Sequence, residues 1–98
     1  MLAALCRFDL RIPGVTSLKE KRHVVKSLTA SIRSTFNVSV AEVDHHDLWQ
    51  RAAIAVAAVS AQGYHVKKVV HEVERLVERF PSVEVIDLTV RYVGEEDL

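Results

Sequence analysis

The chain has 98 residues, 49% of them apolar and 27% charged, with one cysteine and a formal net charge of zero. That length predicts a single domain over residues 1–98, large enough to bury one core without metal or disulfide staples. The balance excludes a disulfide scaffold and a non-specific polycationic coat for nucleic acid, and the lone Cys6 fits a reducing cytoplasm.

The zero total conceals a split. Residues 1–40 carry seven Lys/Arg against two Asp/Glu, and residues 41–98 carry six against eleven. One basic and one acidic patch on a small body are expected. Arg7 and Asp9 interrupt the apolar N-terminal stretch, so it does not read as a signal peptide. The longest uncharged run, Ala52 to Val66, is too short and too polar to span a bilayer, so no membrane partner is expected.

Residues 2–12 alternate. Leu2, Ala4, Cys6, Phe8, Leu10 and Ile12 share one face, and Arg7, Asp9 and Arg11 the other, which predicts a strand that Pro13-Gly14 ends. Ser17 and Glu20 form an S-x-x-E capping box, placing a helix over residues 18–35. Its apolar stripe is Leu18, Val24, Val25, Leu28 and Ile32. Lys19, Arg22, Lys26 and Arg33 recur on the opposite face, with His23 beside them.

Residues 36–43 predict a second strand, Asp44-His-His-Asp47 a hairpin turn without the usual glycine, and residues 48–59 a third strand. The third run is alanine-rich, but the β-branched Ile54, Val56 and Val59 favour a strand. Val66, Val69, Val70, Val73, Val77 and Phe80 predict a second helix over 64–80, stopped by Pro81. Residues 83–93 predict the last strand, with Ile86, Leu88, Val90 and Tyr92 on one face and Val85, Asp87, Thr89 and Arg91 on the other. A frayed acidic tail follows. The order βαββαβ is that of an α+β, ferredoxin-like domain: a four-stranded antiparallel sheet with two helices on one face and the first and third strands central.

Ser17-Leu-Lys-Glu-Lys-Arg22, Phe36-Asn-Val-Ser-Val-Ala-Glu-Val43 and Asp47-Leu-Trp-Gln-Arg51 together resemble the YlxP-like family of small bacterial proteins, over nearly the whole chain. That family is classed as a domain of unknown function. The resemblance implies a cytoplasmic ferredoxin-like domain. Genes of the family often adjoin those for translation initiation factor two and ribosome-binding factor A, which implies a link to translation or ribosome assembly. It carries no catalytic residue over to this chain.

Two surfaces stand out. One is the basic start and face of the first helix, where Arg11, Lys19, Lys21, Arg22, Lys26 and Arg33 could contact the phosphates of RNA or a ribosomal subunit without reading sequence. A phosphate at the helix N-terminus itself competes with the capping box, which already supplies acceptors there. The other surface is the helix-free sheet face. There Leu5, Ala53, Ala55, Ala57, Val59 and Val85 form an apolar patch suited to a homodimer, with Arg7, Asp9, Asp87 and Arg91 as ion pairs within the sheet or across the interface.

Other motifs are weighed and set aside. The aromatic-rich pattern of sheet-type RNA-binding domains is absent, and only Trp49 could stack a base. Asp44, His45, His46 and Asp47 are adjacent in a turn and His23, His65 and His71 are scattered, so no metal site is expected. Trp49 reads as a lid on one end of the core, and Arg51 as a cross-hairpin partner of Glu42 or Asp44. Cys6 reads as an inert core thiol. Three glycines permit neither a P-loop nor GxGxxG, and the acylphosphatase phosphate loop has no match in residues 13–17. No enzyme activity and no cofactor are expected.

Overall fold

The computed structural model describes residues 1–98. In chain order the elements are β1 (Leu2–Arg11), α1 (Leu18–Thr35), β2 (Ser39–Asp44), β3 (Arg51–Ser60), α2 (Gly63–Arg79) and β4 (Glu84–Gly94), closed by a 3₁₀ turn at Glu95–Asp97. The strands form one antiparallel sheet in the order β2-β3-β1-β4. This is the ferredoxin-like βαββαβ arrangement, with β1 and β3 central as their patterning requires.

Alternation in β1 sets the two sides of the sheet. Ala4, Cys6, Phe8 and Leu10 turn to the helices and meet Ala52, Ile54 and Val56 of β3. Leu28 and Ile32 of α1 and Val66, Val73 and Val77 of α2 close the core from above. Each large side chain buried there contributes about 1.5–3 kcal/mol relative to leaving it in water. Cys6 lies within this core, and burial, with Glu74 adding to it, pushes its thiol pKa up. A core thiol of that kind is a poor nucleophile.

Local chemistry explains the junctions. Ser17 Oγ accepts the Glu20 amide at 3.1 Å, as the capping box predicts. Glu20 reaches one residue further back than a closed box requires, accepting from the amide and hydroxyl of Thr16, each at 3.1 Å. Gly14 takes φ of +85°, a conformation that only glycine adopts without strain, which turns the chain out of β1. His45 takes the left-handed position in the β2–β3 hairpin, with φ of 62°. That supplies the geometry for which a glycine was missing from the sequence.

Four expectations change. β2 starts at Ser39 and β3 at Arg51, so both are shorter than their apolar runs, and residues 45–50 form the whole connection. Trp49 sits in that connection, 51% exposed, and does not close the core. The tail is ordered by Asp97, whose carboxylate accepts the Gly94 amide at 2.8 Å, rather than frayed. Finally, β4 slips register between its pairs Asp9↔Asp87 and Leu10↔Val85, leaving Ile86 as the extra residue. The bulge turns Val85 toward the core and leaves Ile86 exposed, the reverse of strict alternation.

Candidate functional site

Helix α1 presents its cations unequally. Lys19, Arg22 and Lys26 are exposed, and no salt bridge engages them. Their one acidic neighbour on α1, Glu20, is turned to Thr16. Arg11 is also exposed, at the end of β1, but on the open sheet face rather than on the helix.

Lys21 is different. It is 1% exposed, and its Nζ donates to the His45 carbonyl at 2.7 Å and lies 3.0 Å from Glu42 Oε2. A buried ammonium must be paired, and here it bolts α1 to β2 and the hairpin. It therefore cannot be a phosphate contact, contrary to the expectation from sequence. The signal was present in the spacing: Leu18, Lys21, Val25, Leu28 and Ile32 follow a 3-4-3-4 rhythm along the inner face. Arg33 is exposed, but its Nη2 donates to the Val40 carbonyl at 2.8 Å, so it is directed to the edge of β2 rather than along the helix stripe. No sequence pattern predicts that contact.

The open sheet face divides into two halves. Toward the hairpin, Asp9 gathers nitrogen-bearing side chains: Arg51 Nη2 at 3.4 Å, His45 Nε2 at 3.3 Å and Arg7 Nε at 3.8 Å. Arg7 also reaches Asp44 at 3.3 Å. The His45 backbone amide donates to Asp44 Oδ1 at 2.8 Å and, with the Arg7 bond, holds the Asp44 carboxyl below the usual range. Arg51 thus pairs with Asp9, not with Glu42 or Asp44. His46 leans toward Glu42 at 3.9 Å. The turn histidines point to different partners, and no three His, Cys, Asp or Glu side chains converge.

Ala53 lies in register between Asp9 of β1 and Asp44 of β2 and is 0% exposed. It is removed from the expected dimer patch, as is Val85, which the bulge turns inward. The other half of the face keeps the apolar character expected of it. Leu5 is 54% and Val59 67% exposed, Ala57 is exposed and Ala55 half-buried. Val93, opposite Ala3, extends the patch. Of Asp87 and Arg91, neither forms an ion pair.

A groove of about 750 Å³ continues this apolar half over the edge of β3, with Arg33 as its one charged lining residue. No helix is long and apolar enough to cross a membrane.

The model of the family described as a protein of unknown function, DUF503, matches residues 3–90. The chain belongs to this family. It is 38% identical over 68 residues to the uncharacterized protein YlxP of Bacillus subtilis (strain 168), covering 69% of this chain and 74% of that relative. Among solved structures, the de novo designed protein Foldit4 superposes with a TM-score of 0.52 at 11% identity, covering 95% of this chain and 98% of that one. A second design, LFR1 1, described as having a ferredoxin fold, gives 0.45 at 11% identity, with 97% and 86% covered. At such identity the likeness to Foldit4 concerns the fold alone. The DUF503 match and the YlxP relative agree with the family that the three sequence motifs suggested.

Proposed function

We propose that this DUF503 protein is a non-enzymatic cytoplasmic binding module that contacts the phosphate backbone of RNA, free or within a ribosomal particle, through the outer face of α1. The observation that carries this reading is the unpaired triad Lys19, Arg22 and Lys26, three exposed cations one helical turn apart without an acidic partner. Phosphate contacts of this kind position a protein without reading bases. Lys21 takes no part, being buried against the His45 carbonyl, and Arg33 lies outside this surface, because its bond to the Val40 carbonyl directs it to the edge of β2.

Binding to isolated ribosomal subunits and to ribosomal RNA at two salt concentrations tests the reading. The double substitution Arg22→Glu/Lys26→Glu should weaken binding at least tenfold at low salt and flatten the dependence of log K on log salt by about 1.5–2. Unchanged affinity in that variant would sink the proposal.

A second reading rests on a different observation, the exposure of Leu5 and Val59 on a sheet face without helices. Apolar side chains grouped in this way suit a protein contact, and a homodimer through the face is its simplest form. Light scattering of the wild type and of Ala57→Lys tests it. A mass near 11.0 kDa for the wild type at high concentration would exclude the homodimer.

A further inference from the structure

The two neighbours of β3 do not cover it equally. Its pairing with β1 runs over its whole length, from Arg11↔Arg51 to Leu2↔Ser60. Its pairing with β2 spans only Ala53 to Ala57, because β2 begins at Ser39 opposite Ala57. Ala58, Val59 and Ser60 therefore have one backbone edge with no strand beside it. The chain before β2 does not supply one, since the Val38 amide folds back onto the Phe36 carbonyl at 3.0 Å.

The apolar groove lies over this gap. Its walls are Leu5, Ala57 and Val59 on the open face and Val38 at the edge. Its volume of about 750 Å³ falls in the range of sites that hold a small ligand or a few residues of peptide. Proteins usually blunt such an edge with Lys, Pro or a bulge. Here Ala58-Val-Ser60 carries none of these, and the irregularity of β2 lies further along, between Glu42 and Asp44. Arg33 stands at the rim. Its bond to the Val40 carbonyl holds the guanidinium in place and leaves its other N–H groups free for a carboxylate.

We infer that the unpaired edge at Ala58–Ser60 is a strand-addition site for an extended peptide of another protein, with apolar side chains at alternate positions and one acidic side chain against Arg33. The inference rests on the protein-contact reading of the open face and names its occupant. Main-chain bonds to β3 would supply affinity, and alternate side chains would fill the groove beside Leu5 and Val59.

The test is an NMR titration of the ¹⁵N-labelled full chain with the capped peptide acetyl-Ser-Val-Asp-Val-Ser-Val-amide. Its counterparts carry Lys in place of Asp, or N-methyl groups on alternate amides. The Asp peptide should shift the amides of Val38, Leu5 and Ala58–Ser60 and slow hydrogen exchange at one or more of the last three. The Lys peptide should bind at least fivefold more weakly, and Arg33→Gln should bring the two within about twofold of each other. The N-methylated peptide should not bind, and Ala57→Lys, a change at an exposed position, should abolish binding of the Asp and Lys peptides.

No shift at millimolar peptide overturns the inference, as does equal binding of the N-methylated form. Shifts of the same amides with protein concentration alone overturn it too, by showing a second copy in the groove. Its failure is distinguishable from that of the protein-contact reading. If Ala57→Lys changes the mass seen in light scattering while no peptide binds, the face is a contact surface but not a peptide site.

Discussion

The two halves of the open sheet face share strands, pleat and solvent, yet they are finished differently. At the hairpin end, every charged group contributed by Arg7, Asp9, Asp44 and Arg51 has an opposite charge within 4 Å, and the alanine among them is fully buried. At the other end, Leu5, Ala57 and Val59 stand in water with a groove beside them. A face closed by its own side chains has no need of a partner, whereas an apolar face left uncovered carries a standing cost that a partner removes. The difference separates an end closed by its own ion pairs from an end whose apolar side chains stay in water.

The contrast breaks most sharply from below the hairpin. Lys21→Met keeps the bulk of the side chain but leaves the His45 carbonyl without its donor and Glu42 without its counter-charge. Global stability in urea should fall by about 2–3 kcal/mol. Adding Glu42→Met should restore at least about 1 kcal/mol of that, because removing both members of a buried pair costs less than removing one. If the double variant is less stable than Lys21→Met, the pair is not what anchors the hairpin to α1.

A smaller effect separates the halves directly. Asp9→Asn takes the shared anion from Arg51, His45 and Arg7, and should cost about 1 kcal/mol. The loss is limited because these groups are partly solvated and because Asp87 lies directly opposite Asp9. Val59→Ser at the other end should change monomer stability by less than about 0.5 kcal/mol, since its side chain is already in water. Equal costs at the two positions would mean that the apolar half is held by contacts of its own.

Much of this was legible in the chain. Both bounds of α1 follow from the capping box and the apolar stripe, and β1 follows from its alternation over residues 2–12. What escaped depends on interactions between elements. A bulge shifts the parity of β4, so Val85 and Ile86 exchange sides for a reason that no local pattern carries. Ala53 looks like its neighbours Ala55 and Ala57, yet it alone is fully buried where the strands bring Asp9 and Asp44 to either side of it. The late start of β2 at Ser39 exposes the edge of β3, yet Phe36-Asn-Val-Ser reads as continuous strand. Lys21 is the exception, because its inward position was written in the spacing and obscured by its charge.

The smallest effect is a titration. Asp44 accepts the His45 amide and the Arg7 guanidinium, bonds that favour the ionised carboxylate and lower its folded pKa. A carboxyl with a depressed folded pKa adds stability above its unfolded value, near 3.9, and that contribution disappears as pH falls through the folded value. The Asp44 carboxyl carbon, followed by NMR, should therefore titrate with a midpoint below the ordinary carboxylate value. Arg7→Gln should raise that midpoint without restoring it fully, because the His45 amide remains the larger cause. Over the same range the amides of Ala57 and Val59, remote from these carboxylates, should stay flat. A midpoint at or above the ordinary value would mean that the Asp44 side chain is free in solution. The hairpin half would then be open to a partner as well, and the contrast between the two ends would rest on Asp9 and Lys21 alone.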